Sequence, residues 1–274
     1  MKRTTYYLSV LVLFSTLLGC STKENTPNWK LGVQTYTFHK FTLMETLDKT
    51  QQLGLHYVEA FFSQAMGQGF PNSTYLNFNM PQESKDLLKK ELAKHNLTLY
   101  ACGVATYHTE ADWRRFFEFA SEMGLKLVTA EPNLKDLDMV EKLAKEFTIG
   151  VAIHNHPNPS VYANPDVLAK ALEGRSNLMG VCADIGCWKR VGVDPLETIK
   201  RFKGRLKVIH MNDLSSNLED ATWGTGILPV KEVVEELSRQ NFDGLISIEY
   251  ENFSSSQIDD IAKSLVYFNG LIKK

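Results

Sequence analysis

The chain has 274 residues, of which 43% are hydrophobic and 23% charged; this is ordinary globular composition and excludes a disordered or fibrous chain. A formal net charge of −2 supplies no broad positive field for holding a polyanion, so nucleic acid is not an expected partner. Four cysteines, at 20, 102, 182 and 187, are too few and too unevenly spaced to frame a disulfide scaffold, so stability must come from a core.

Lys2 and Arg3 precede an apolar run from Tyr6 to Leu18 that closes on Gly19-Cys20, the pattern of an export signal. The run falls short of the roughly 20 residues that a membrane-spanning helix needs. A small residue before Cys20 resembles the lipobox of bacterial lipoproteins, in which the cysteine is lipidated and becomes the first mature residue. The plainer alternative is a cleaved signal peptide with an incidental cysteine. The reading is therefore a lipoprotein signal over 1–20, a short tether over 21–29 and a single domain over 30–274. The protein is expected to be exported, touching the membrane only through its N-terminal lipid anchor. Loss of Lys2 and Arg3 leaves 28 basic against 32 acidic residues, a mature net charge of −4.

From Lys30 onward, short apolar, β-branched runs alternate with longer segments of helical period, about eight times, which predicts a closed (βα)8 TIM barrel. Strands are predicted at Leu31 to Tyr36, His56 to Phe61, Thr98 to Val104, Lys126 to Ala130, Ile149 to His154, Leu178 to Asp184, Leu206 to Met211 and Leu245 to Tyr250. Between them, Thr42 with Glu45 forms a capping box, and Gly54 and Gly124 stand where helices end. Thr109 opens a helix whose Trp113, Phe116, Phe117 and Ala120 make one apolar stripe. Asn164-Pro165 and Asp194-Pro195 each pair a capping side chain with proline at the first helical position. A doubly wound open sheet would use the same units, but no glycine-rich GxGxxG turn follows the first strand.

In a parallel barrel the active site is built where strands end, and five successive strands here end in carboxylate or imidazole. The fourth ends in Glu131, the fifth in His154 and His156, the sixth in Asp184, the seventh in His210 and Asp213, and the eighth in Glu249 and Glu251. Gathered at one rim, such groups leave several partly desolvated negative charges close together, which is costly unless a cation neutralises them. The mixed set suits manganese, cobalt, zinc, iron or magnesium better than calcium. Each residue also has a plainer reading. A lone strand-end histidine is commonly structural, Asp213 can cap a loop, and Glu251 can be a surface charge. His154 and His156, and likewise Glu249 and Glu251, are two apart and so share a side of an extended strand.

These motifs resemble the sugar phosphate isomerase and epimerase superfamily with a xylose isomerase-like barrel. The likeness spans residues 30–274 through LGVQTYTF, TAEP, VAIHNH, VCADIGCWKRVGVDP, VIHMND, WGTGILP and DGLISIEYE. It implies one divalent metal, with ligands Asp184, His210 and Glu249 carried over from the sixth, seventh and eighth strands. His154 occupies the fourth ligand position, where the epimerases have glutamate, and Glu131 on the neighbouring strand is the alternative source of that carboxylate. Two further departures are Cys187, where relatives have histidine, and Asn212, where they often have lysine. Arg190 matches an arginine that relatives commonly carry after the motif holding Cys187 and, with Gln34 and Trp188, is an expected substrate-binding residue; Trp29 and Trp223 are further candidates for stacking on a sugar face, with core packing an equal reading for Trp29.

The implied chemistry is proton abstraction next to a sugar carbonyl through a metal-stabilised enediolate, with Glu131, His156 and Glu251 as candidate bases. The expected partner is a small sugar or keto-sugar, and the expected activity a divalent-metal-dependent sugar isomerase or epimerase. Lyase or dehydratase action on keto-sugars or 3-keto-glycosides is the first alternative, and a non-catalytic sugar-binding lipoprotein the second. The superfamily that the chain resembles also has an apurinic endonuclease branch, which hydrolyses through a multinuclear cluster with many more histidines; that reaction fits poorly, because four of the seven histidines here, 39, 56, 95 and 108, lie in other segments.

Overall fold

Each of the eight apolar runs forms a strand, and the computed structural model describes residues 29–272. The export signal, Cys20 and the tether up to residue 28 lie outside the described residues. The strands are β1 Lys30–Gln34, β2 Tyr57–Ala60, β3 Thr98–Ala105, β4 Leu127–Ala130, β5 Gly150–His154, β6 Met179–Asp184, β7 Leu206–Met211 and β8 Leu245–Ile248. Every strand pairs in parallel with the next, and β8 returns to β1, closing the barrel. The TIM barrel expectation therefore holds, with strand bounds shifted by one or two residues where the backbone leaves the ladder. No helix among the described residues is long and apolar enough to cross a membrane.

The helices are α1 Leu43–Gln52, α2 Gln82–Lys94, α3 Glu110–Glu122, α4 Leu137–Phe147, α5 Pro165–Leu172, α6 Ile185–Arg190, α7 Pro195–Arg201, α8 Val230–Arg239 and α9 Gln257–Ile272. Their ends follow the local chemistry. Thr42 accepts from the Glu45 N–H while the Glu45 carboxylate accepts from the Thr42 N–H, closing the capping box on α1. Thr109, Asn164 and Asp194 cap α3, α5 and α7 through their side-chain oxygens. Each such cap is worth about 1 kcal/mol against alanine.

Two separate apolar cores result. The larger lies between strands and helices and takes in the α3 aromatics, with Trp113, Phe116 and Phe117 fully buried. The smaller fills the barrel itself with Ala101, Leu127, Ala152, Cys182, Val208 and Leu245, against which Tyr57 packs. Residues two further along these strands point the same way and stand one layer higher. On β2, β4, β5, β6 and β7 these are Glu59, Thr129, His154, Asp184 and His210, and on β8 Ser247 followed by Glu249. The interior thus changes from apolar to ionisable within one step of the pleat.

Candidate metal centre

The upper layer converges. His154, Asp184, His210 and Glu249 each place one ligand-type atom within 4.8 Å of all the others, although the chain separates the first from the last by most of its C-terminal half. Register explains the convergence: Asp184 and His210 are direct partners across β6 and β7, and His154 stands opposite Cys182 across β5 and β6.

Each histidine is held by one nitrogen and free at the other. The His210 Nε2 lies 2.9 Å from the Glu59 carboxylate, while its Nδ1 faces Glu249 at 3.2 Å. The His154 Nδ1 lies 3.2 Å from Glu131, while its Nε2 faces Asp184 at 3.7 Å. His154 Nε2 and His210 Nδ1 are buried and have no hydrogen-bond partner. A buried ring nitrogen without a partner is costly, and a carboxylate on the far nitrogen is how a protein fixes the tautomer of a metal-binding imidazole.

Asp184 is oriented just as firmly. Its Oδ1 accepts from the Cys187 N–H at 2.7 Å and from the Asn212 amide at 3.1 Å, which leaves Oδ2 toward His154. The Asn155 side chain bonds both backbone groups of Asp184 and so ties the end of β5 to β6. Gly186 is required by this packing, since a Cβ there would sit 2.6 Å from the Asn212 Oδ1.

Electrostatics match the geometry. Burial works against charge on both rings, yet Asp184 and Glu131 hold His154 up at about 8, and Cys182 with the Glu59 and Glu249 carboxylates holds His210 well above its usual value. Burial raises Glu249 to about 7, against the pull of His210. Asp184 stays well below the usual carboxylate range because His154 and His210 outweigh its burial. Two imidazole nitrogens and two carboxylates thus converge on one buried point, a donor set that fits a divalent cation. Beneath the set, burial pushes the Cys182 thiol up to about 12, leaving it neutral.

The remaining expected site residues divide. Glu131 stands on the far side of the His154 ring from Asp184; its Oε1 takes the His156 N–H at 2.9 Å and the His156 Nδ1 at 2.7 Å as well as His154. His156 is half exposed and, with Gln34, Glu249 and Glu251, lines a cavity of 440 Å³ over the cluster. Gln34 also caps the turn at Thr35–Phe38 by accepting from the Tyr36 N–H. The Arg190 guanidinium is 2.8 Å from Asp220, beside that cavity.

Trp188 is placed differently from the expectation. It is fully buried, its ring parallel to Phe202 at 6.3 Å, so it has no face to offer a sugar. Ile185 and Trp188 lie three apart on α6 and turn together into the outer core, where a large apolar ring is most stable. The buried Trp223 meets Phe268 edge-on, and the partly buried Trp29 packs on the same ring at a tilt. The aromatic side chains lining the cavity are instead Tyr36, Phe61 and Phe62. Cys187 meets Asp184 through its backbone, and burial raises its thiol further into the neutral form. Asp213 is a loop cap: it accepts from Leu214, Gly224, Gly226 and Leu228, which accounts for the glycine pair in WGTGILP.

Glu59 was absent from the expected set. It is fully buried on β2, bonded to His210 and to the Thr129 hydroxyl at 2.7 Å. Its sequence signal was an acid between Val58 and Ala60 inside a predicted strand, a position tolerable only with partners.

Residues 47–269 match the family model described as a xylose isomerase-like TIM barrel. No curated protein matches the chain. Among solved structures, an uncharacterized protein from Parabacteroides distasonis ATCC 8503 is 54% identical, with a TM-score of 0.76, over 89% of this chain and 99% of its own. A D-tagatose 3-epimerase-like protein shares the fold at 17% identity and a TM-score of 0.69, over 89% and 97% of the two chains. The IOLI protein, solved with a bound zinc atom, shares it at 15% identity and 0.68, over 87% and 97%.

Proposed function

The chain belongs to the xylose isomerase-like TIM barrel family, and from that premise we propose that it is a divalent-metal-dependent sugar isomerase or epimerase. His154, Asp184, His210 and Glu249 would hold the ion. The observation that carries this reading is the pair of buried, unpartnered ring nitrogens, His154 Nε2 and His210 Nδ1, turned toward the Asp184 and Glu249 carboxylates. When bound, the cation would polarise a sugar carbonyl and stabilise the negative charge that develops on its oxygen.

The residues of the chain supply the proton chemistry. Glu131 fixes His156 through Nδ1, which leaves Nε2 to accept a proton from a molecule in the cavity. Glu251 lines the same cavity, and burial together with the Asp220 charge raises its carboxyl, which favours donation of a proton back. Glu131 is committed to the two histidines and acts as a positioning residue. We propose further that the chain is exported and so meets free sugars and glycosides, which makes the proposed substrates unphosphorylated.

Loss of a β-leaving group after the same proton abstraction is a second reading. It is favoured by His154, which stands where the ketose epimerases carry a basic glutamate and is here turned into the ligand cluster. The test is metal content by mass spectrometry of protein prepared with manganese, cobalt, zinc or magnesium, followed by deuterium exchange on ketoses and 3-keto-glycosides. One ion per chain and solvent deuterium at the carbon next to the carbonyl are expected, and the products separate isomerase, epimerase and lyase. A chain that retains no ion, or that binds one without any exchange, overturns the proposal.

A further inference from the structure

A second cavity adjoins the first. Its volume is 330 Å³, and it is lined by Arg190, Glu219, Asp220, Glu251, Asn252 and Phe253. Glu251 lines both cavities, so the two share a wall.

The aromatic side chains connect them as well. Tyr36, in the wall of the first cavity, stacks on His39 at 4.6 Å, and His39 meets the edge of Phe253, in the wall of the second, at 4.4 Å. Tyr36 is 41% exposed and Phe253 37%, so each keeps part of its ring open to a ligand, although Lys40 Nζ already lies 4.3 Å from the Phe253 ring centre. The polar side of the second cavity is prearranged. Asp220 is almost fully buried, held by Arg190 and by the Glu251 N–H, while the Asn252 amide bonds the Asp220 carbonyl. Arg190 keeps part of its guanidinium exposed beside the Glu251 and Glu219 carboxylates.

An aromatic ridge facing a row of fixed donors and acceptors matches a chain of sugar rings, whose carbon faces are apolar and whose edges carry hydroxyls. We infer that the cleft accepts a substrate of at least two rings, a disaccharide or other glycoside, with the carbonyl-bearing ring over the ligand cluster and the second ring between Phe253 and the Arg190–Asp220 pair. The inference rests on the sugar-carbonyl reading above and assigns its substrate class.

Binding separates the two claims, because it needs no turnover. Calorimetry on the full metal-loaded chain would compare glucose with maltose, cellobiose and lactose, each of which keeps one reducing ring. At least one disaccharide is expected to bind about tenfold more tightly than glucose. Phe253→Ala, and separately Asn252→Ala, should each reduce that ratio about fivefold, the scale of one lost stacking or hydrogen-bonding partner. Both side chains are exposed, so the variants should fold, and circular dichroism checks this. Equal binding of glucose and every disaccharide by the wild-type chain would overturn the inference, as would a ratio untouched by both variants. A disaccharide preference without deuterium exchange would sink the isomerase reading and leave the second-ring subsite standing.

Discussion

The floor and the mouth of the barrel are built by the same strands, two residues apart, and behave as different materials. Ala101, Leu127, Ala152, Val208 and Leu245 form a floor that needs nothing but close packing. One layer up, Glu59, His154, Asp184 and His210 are buried ionisable groups, with the partly buried Glu249 above them, each stable only because a neighbour supplies charge or a hydrogen bond. The floor contributes stability, and the mouth consumes some of it to hold two ring nitrogens unpartnered. An arrangement so costly at one layer, on a scaffold able to bury apolar side chains there, is the mark of a site.

The sharpest way to break this contrast is Asp184→Asn, which keeps the contacts of the oxygen bonded to Cys187 and changes the atom facing His154. Bound metal should fall below one ion per chain, and sugar exchange should drop by about a thousandfold. Wild-type metal content in this variant would remove Asp184 from the centre.

Next in size is a matched pair. Glu59→Ala should cost about 3–5 kcal/mol, because it leaves the buried His210 ring without its carboxylate, whereas Leu127→Ala should cost about 3 kcal/mol through a cavity in the floor. Denaturant unfolding measures both. Only Glu59→Ala should also weaken metal binding; equal weakening by Leu127→Ala would mean that floor and mouth are one unit.

Glu131→Gln tests orientation alone. It should reduce metal affinity or exchange rate about 10- to 100-fold, the usual effect of removing the carboxylate behind a liganding histidine, with little change in unfolding midpoint. The smallest effect lies outside the barrel. Glu141 on α4 is lowered to about 2: burial opposes the charge, and Lys145, Ser176 and Arg175 outweigh it. A carboxyl depressed in the folded state stabilises fully above its ordinary value near 4.5 and loses that contribution as pH falls toward 2. Glu141→Gln should flatten the acid limb of the stability curve in that window and leave metal binding unchanged. An unaltered acid limb would show that the Lys145, Ser176 and Arg175 contacts do not stabilise the fold.

Much of this was legible from the chain alone. Eight strands, their order and the caps at Thr42, Thr109, Asn164 and Asp194 are local properties, set by period and by side chains that reach backbone groups a few residues away. His154, Asp184, His210 and Glu249 were visible because strand ends in a parallel barrel must gather at one rim. Trp188 lies in the outer core and not against the cavity, a place the sequence leaves open because an indole suits a sugar face and a core equally well, and local sequence does not say which way α6 turns.

What only the tertiary structure decided was partnership: that Glu59, in another strand far from His210 in sequence, holds its ring, that Glu131 backs His154 and His156, and that His39 lies between Tyr36 and Phe253. Sequence fixes periodicity and capping because those act within a few residues. The protonation, orientation and free faces of buried groups depend on atoms brought together by barrel closure, across separations that no local pattern encodes.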